Sequence, residues 1–432
     1  MTITFQDGLK SYQFHASEDN DRELQRFLDD ISDPVGNLQV EHYRLHLQCT
    51  VITRQMVGQV VELLNTHLPQ NAPLAQSLKW WEVNLCLCTF AEPETPNTGN
   101  NDLANDEGDY CSVEEKKLLA ATLAVRTDTL ELTSCPEILD CLLLSPRLEM
   151  ENWYIGQRGL SASQCAGVGN LIQRSVDLSM LSLDLQYLED PFPLAQGFAN
   201  AVHLKRVYWD RHYPWTSDQE PGQQRLSDTI VTGGSNSIAG QLVAGQLKAL
   251  TLSQMELEDC HFMAIVQLLP TSQLESLDVH DNKIGLPGIL AFAKQLPGIK
   301  YLKKVNISRN PWQSIPEQRQ ECYAALVQGM AENYSVDDVT TIENWPGDDD
   351  PRIVYFTNLN HMGRRILVAP SPVPSGLWPL LLERTSRRRR RFVTKEYSLD
   401  PVQGIYFFLQ SHPLQSLLAQ TSRSRVSHQE SR

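Results

Sequence analysis

A chain of 432 residues with 41% hydrophobic and 21% charged side chains has the balance of a soluble folded protein, not of a disordered or fibrous one. Its formal net charge of −15 argues against general nucleic-acid binding and for partners that are basic or neutral. No stretch reaches the ~18 apolar residues of a membrane span, and Met1-Thr-Ile-Thr-Phe-Gln-Asp7 lacks the basic start and apolar run of a secretory signal. A cytoplasmic or nuclear location is therefore expected. The nine cysteines follow no CxxC pairing or regular framework, as expected of reduced thiols filling small core positions.

Residues 1–40 form an acidic N-terminal segment of weak pattern, with Leu24, Phe27, Leu28 and Ile31 spaced for one short helix. An apolar template then recurs. Leu45-His-Leu47 precedes a helical pattern through Met56, Val60, Leu63, Leu64 and Leu68. Leu78-x-x-Trp81-x-Val83 follows, and an acidic stretch rich in Asn, Pro and Gly at 92–112 reads as an inserted loop. Leu130-x-Leu132, Leu148-x-Met150, Leu178-x-x-Leu181-x-Leu183 and Leu204-x-x-Val207-x-Trp209 come next, before a second insertion at 211–236.

The clearest copies close the series. They are Leu247-x-x-Leu250-x-Leu252-x-x-Met255-x-Leu257, Leu274-x-x-Leu277-x-Val279-x-x-Asn282-x-Ile284 and Leu302-x-x-Val305-x-Ile307-x-x-Asn310. The interval is about 27 or 28 residues, and the array at 41–315 amounts to about nine irregular units. Each copy reads as a short strand with alternate side chains inward, a turn, and an amphipathic helix such as 288–296. Such a unit cannot bury its apolar face alone. The fold class expected is thus an α/β solenoid, a curved parallel sheet on the concave side and helices on the convex side.

Leu250, Leu252, Leu277, Val279, Val305 and Ile307 are the structural positions of the repeat. Asn282 and Asn310 are placed to satisfy buried backbone groups along the turns. Past the array, Pro316 to Glu332 reads as one more helix with Pro in its first turn, and Asp348-Asp-Asp-Pro351 as a linker. Residues 316–420 are expected to cap the array and 421–432 to form a disordered tail.

With their LxxLxLxxNxI core, the last units resemble the ribonuclease-inhibitor class of leucine-rich repeats, Leu274-Glu-Ser-Leu-Asp-Val-His-Asp-Asn-Lys-Ile-Gly285 most closely. Asn358-Leu-Asn-His-Met-Gly-Arg-Arg-Ile-Leu367, Val373-Pro-Ser-Gly-Leu-Trp-Pro-Leu-Leu-Leu-Glu-Arg384 and Ile405-Tyr-Phe-Phe-Leu-Gln-Ser-His-Pro413 resemble the tail of many diatom leucine-rich repeat proteins. In a capping role, Leu359, Ile366, Leu367, Trp378, Leu381 and Phe407 would cover the last unit.

The repeat class implies that residues flanking each inward Leu point from the concave side towards a partner. These are Arg44, His46, Trp80, Glu82, Asn84, Glu131, Glu149, Glu151, Asp184, Arg206, Tyr208, Asp210, Thr251, Asp278, His280, Lys304 and Asn306. The middle of this stripe is acidic and suits a partner exposing Lys or Arg, with Trp80 and Tyr208 as anchors. A solvated strand face without a partner is the alternative. Trp209-Asp-Arg-His-Tyr-Pro-Trp215 is either a recognition loop or a segment folded back on the array. The run Arg387, Arg388, Arg389, Arg390 and Arg391 is a nuclear import signal, a nucleic-acid contact or a solvated loop.

There is no GxSxG, P-loop, HExxH or paired-cysteine zinc spacing. Asp278, His280 and Asp281 cluster, but alternate strand residues face opposite ways, so a third metal ligand would have to come from elsewhere. Gly233-Gly-Ser-Asn-Ser-Ile-Ala-Gly240 fits a flexible insertion better than a phosphate cradle. The sequence thus points to a monomeric, non-enzymatic protein-binding scaffold without metal or cofactor. The repeat class implies a second reading, a regulator of small GTPases.

Overall fold

The computed structural model describes residues 2–6, 9–15, 42–48, 51–66, 81–86, 88–90, 111–185, 187–210, 240, 246–341 and 350–361. They belong to two compact units, Met1–Met255 and Glu256–Arg432. Both show the expected α/β repeat ladder, parallel strands alternating with helices.

In the first unit, β1 (Thr2–Gln6) pairs antiparallel with β2 (Leu9–His15). From β2 onward the ladder is parallel through β3 (His42–Gln48), β5 (Trp81–Cys86), β7 (Thr129–Thr133), β8 (Asn152–Gly156), β10 (Met180–Asp184), β12 (Arg206–Asp210) and β13 (Ala249–Ser253). Two-residue strands pair beside it: β4 (Val51–Ile52) with β6 (Thr89–Phe90), and β9 (Gly159–Leu160) with β11 (Tyr187–Leu188). The helices are α1 (Arg54–Thr66), α2 (Val113–Arg126), α3 (Pro136–Leu143), α4 (Ala162–Arg174) and α5 (Phe192–Asn200).

Burial alternates along the strands as the pleat requires. Leu45 and Leu47, Leu130 and Leu132, Leu181 and Leu183, and Leu250 and Leu252 are all at most 2% exposed. Each such side chain contributes about 1.5–3 kcal/mol. Local chemistry sets where the helices begin. Ser112 and Glu115 form a capping box at α2, and Ser161 and Gln164 form another at α4. Where α4 meets α5, a Cβ at Gly197 would lie 2.5 Å from the Gly169 Cα, so this approach demands glycine.

Two sequence expectations shift register. The copy read at Leu148-x-Met150 has its strand later, in β8, where Trp153 and Ile155 pair with Leu130 and Leu132. Leu148 and Met150 are buried ahead of that strand. The template there is Met150-x-x-Trp153-x-Ile155, disguised because an aromatic takes the strand position of a leucine. The copy read at Leu78-x-x-Trp81-x-Val83 likewise moves two residues on, since Val83 and Leu85 pair with Leu45 and Leu47.

The second unit carries β14 (Ser276–Asp278), β15 (Lys304–Asn306) and β16 (Asp338–Thr340), all parallel. Its helices are α6 (Asp259–Leu268), α7 (Leu286–Gln295), α8 (Pro316–Glu332) and α9 (Pro351–His361). Asp259 at the start of α6 also serves its neighbour: Oδ1 accepts from Gly285 N at 2.7 Å and Gly288 N at 2.9 Å, placing negative charge at the α7 N-terminus.

The ladder continues past residue 315, because α8 leads into β16. Pro351, read as the end of a linker, instead opens α9, with Asp350 accepting from Arg352 N at 2.8 Å. The Arg352 guanidinium also holds the Asp350 carboxyl below its usual range. Leu359, expected in the cap, is buried on α9. The short helix read at 24–31, Trp80, most of 92–112, the insertion at 211–236, the rest of the expected cap and tail, and the arginine run lie outside the described residues.

Candidate protein-binding face

The outward side chains of the first unit fall into rows fixed by strand register. The central row runs His46, Asn84, Glu131, Tyr154, Ser182, Tyr208, Thr251. Beside it run Glu82, Thr129, Asn152, Met180, Arg206 and Ala249; the side chain of Arg44 lies outside the described residues. Asp184 stands at the far end of β10, and Asp210 ends β12.

Cross-strand bonds hold several of these groups. Asn84 Nδ2 donates to Glu131 Oε2 at 2.5 Å, and Asn152 Nδ2 donates to Thr129 Oγ1 at 3.1 Å. The Tyr154 hydroxyl lies 3.9 Å from Met180 Sδ, so its ring leans across β10. Burial raises the Tyr154 phenol above its ordinary range, and Glu82, Glu131 and Tyr208 push it the same way against Arg206. The field at that phenol is therefore predominantly negative.

Glu149 and Glu151 do not stand on a strand. They lie in the turn before β8, where Glu149 pairs with Arg147. Glu151 Oε1 accepts from Ser179 Oγ at 3.0 Å and faces Arg206 Nη2 at 3.6 Å. The register shift in this unit explains the displacement. The same shift brings in Asn152 and Tyr154, which the leucine template missed; Trp153-Tyr154-Ile155, an aromatic strand alternating inward and outward, was the signal for them.

In the second unit Asp278 links two repeats. Its Oδ1 accepts from His280 N at 3.0 Å and lies 2.9 Å from His280 Nδ1, while Oδ2 accepts from Asn306 Nδ2 at 3.0 Å. Asn306 Oδ1 in turn accepts from Ser308 N and Oγ, and Lys304 is exposed beside it. Asp281 follows with a left-handed backbone, at a φ of 54°. Among the described residues no three His, Cys, Asp or Glu side chains are grouped to hold a metal. Within each unit these bonds hold polar side chains in place, and the described face of the first unit offers carboxylates, phenols and the Arg206 guanidinium as contact chemistry.

No family model matches the chain, and no curated protein is similar to it. Among solved structures the chain is similar to one titled "Leiomodin-1 Actin-Binding Site 2 (ABS2)", at 18% identity over 30% of this chain and 72% of that one. The TM-score is 0.26, and a likeness that slight transfers nothing. The strand register and burial pattern themselves establish an α/β repeat ladder.

Proposed function

We propose that the chain is a monomeric, non-enzymatic scaffold of the ribonuclease-inhibitor-like leucine-rich repeat class. It docks a protein partner with a basic surface on the strand face of its first unit. The carrying observation is the row Glu131, Tyr154, Ser182, Tyr208, in which strand register lines up two phenols and a carboxylate. Such pre-ordered groups lose little entropy on binding, and tyrosine dominates binding hot spots. No described helix is long and apolar enough to cross a membrane. The cytoplasm or nucleus is the proposed location.

Affinity capture from native cell extract tests this. The double variant Tyr154→Ala, Tyr208→Ala should lower recovery of the specific partner at least about tenfold. Leu118→Glu, on the exposed side of α2, should leave recovery intact. The opposite pattern would place binding on the helices and end the proposal. The GTPase-regulator reading rests on repeat class alone, and unchanged hydrolysis across a panel of small GTPases removes it.

A further inference from the structure

Two buried thiols of the first unit occupy equivalent points in neighbouring repeats. Cys88 lies three residues past Leu85 and Cys135 three past Leu132, and Leu85 pairs with Leu132 in strand register. Their hydrogen bonds repeat as well. Cys88 Sγ donates towards Leu47 O at 3.3 Å and Cys86 O at 3.6 Å, and Cys135 Sγ towards Leu85 O and Thr133 O at 3.3 Å each. Each sulfur thus meets the carbonyl two residues before it and that of the second inward leucine of the preceding repeat. Equivalent points one strand apart lie about 4.8 Å from each other. That falls inside the Cα separation of about 4.4–6.8 Å that a disulfide spans. Cys88 N also donates to Cys135 Sγ at 3.3 Å, so the two turns touch at this point.

The pair is poised to react in a fixed order. Cys135 is buried, but half-buried Ser134 and exposed Pro136 flank it, so the turn that carries the sulfur is itself at the surface. A hydrogen bond from the Cys88 thiol, working against burial, holds the Cys135 thiol below its ordinary range. The thiolate is the form that attacks an oxidant, so Cys135 reacts first. Cys88 stands beside it as the thiol that completes the bond.

We infer that Cys88 and Cys135 are a redox site: a peroxide converts them to a disulfide that ties the turn after β5 to the turn after β7. The Cys135 sulfur attacks one peroxide oxygen, the O–O bond breaks, and a sulfenic acid forms as water leaves. The Cys88 sulfur then attacks the Cys135 sulfur, the S–O bond breaks, and a second water departs with the Cys88 proton. The sulfurs give up an electron pair in all, and hydrogen peroxide takes it. In the reducing compartment proposed above such a bond is transient, and exchange with cellular thiols returns both hydrogens. While it lasts, Leu47 O and Leu85 O have no thiol proton to accept, and the covalent bond holds the turns in its place. Asn84 and Glu131, bonded to each other, stand four residues ahead of the two cysteines on the same strands. The switch therefore acts on strands of the candidate face, and it works whether or not that face docks a partner.

Peptide mapping of the full chain without reductant provides the test. The reduced chain is treated with hydrogen peroxide, its remaining thiols are alkylated, and it is digested. A cross-linked peptide joining Cys88 to Cys135 is expected. Both cysteines should lose alkylation one for one, at least about tenfold at completion, and dithiothreitol should restore it. Cys88→Ala should stop the reaction at a Cys135 sulfenic acid that dimedone captures, and Cys86→Ala should leave the cross-link in place. A cross-link that disappears with Cys86→Ala, or that forms only after urea has unfolded the chain, overturns the inference. So does its absence from folded chain in which the exposed Cys260 has been fully oxidised.

Discussion

The turns of the two units solve one problem with different chemistry. Five residues past the first inward side chain of its strand, four of the described turns bury a group that bonds to backbone of its own repeat or of a neighbouring one. In the second unit that group is an amide. Asn310 Nδ2 reaches Val279 O at 3.1 Å, Ile307 O at 3.1 Å and Ser308 O at 3.0 Å, while Oδ1 accepts from Ile284 N at 3.1 Å. Asn282 does the same one repeat earlier, bonding Val279 O, His280 O and Leu257 N. In the first unit, after β5 and β7, the position holds a thiol. Cys135 Sγ donates towards Leu85 O and Thr133 O at 3.3 Å each and accepts from Cys88 N at 3.3 Å. Cys88 Sγ donates to Leu47 O at 3.3 Å.

The difference teaches what the position requires. It needs a small buried group able to reach two neighbouring turns, and it does not need an amide. An asparagine makes strong bonds and leaves a large debt if removed; a cysteine makes weak ones and is at home among apolar atoms. Both kinds of turn impose a left-handed residue just ahead, at Ser134 before Cys135, Asp281 before Asn282 and Arg309 before Asn310. Such a conformation costs about 1 kcal/mol or more in a non-glycine residue, so the buried ladder must hold it.

The largest test of this contrast is Asn310→Ala. It strands the Ile284 N–H and withdraws a donor from buried carbonyls, so urea unfolding should show a loss of about 3 kcal/mol. A loss below about 1 kcal/mol would show that the amide ladder does not hold the turn. Cys135→Ala comes next. Weak thiol bonds and one small side chain are lost, so about 1 kcal/mol is expected. If it equals the Asn310→Ala loss, the thiol is as demanding as the amide and the contrast fails.

That contrast also explains how much of the fold the sequence disclosed. The amide turns were legible because Leu277, Val279 and Asn282 spell a template in one dimension. The thiol turns were not, because Cys88 and Cys135 look like ordinary core cysteines until the strands beside them are paired. Trp153 hid the register of β8, since Leu148-x-Met150 imitates the inward pair Trp153-x-Ile155 five residues on. The strands β1 and β2 are masked in the sequence by the acidity of residues 1–40, although Ile3 and Phe5 alternate with polar residues. The candidate face was half legible: Glu82, Glu131, Asp184, Arg206 and Tyr208 fell on it by alternation alone. Tyr154 did not, because a face residue is found only once its own strand is in register with its neighbours.

The smallest test separates the two units by the electrostatics of single thiols. Burial, with Glu321 and Asp259 nearby, pushes the Cys322 thiol up to about 12. A thiol whose pKa is higher folded than unfolded keeps its proton in the folded chain after the unfolded chain has released it. The stability it contributes is present below the unfolded value of 9.0 and is lost as pH rises from there towards about 12. Between pH 8 and pH 9 the loss through this one group is about 0.4 kcal/mol. Cys322→Ala should flatten the alkaline limb of stability by that amount in urea titrations. Cys135 carries the opposite sign, because a hydrogen bond from the Cys88 thiol lowers its pKa. Its contribution grows as pH rises above its folded value, so Cys135→Ala should steepen the same limb. Equal slopes in the two variants would mean that the thiols differ in place alone, and that the ladder in the first unit is held by packing without the hydrogen bond between its cysteines.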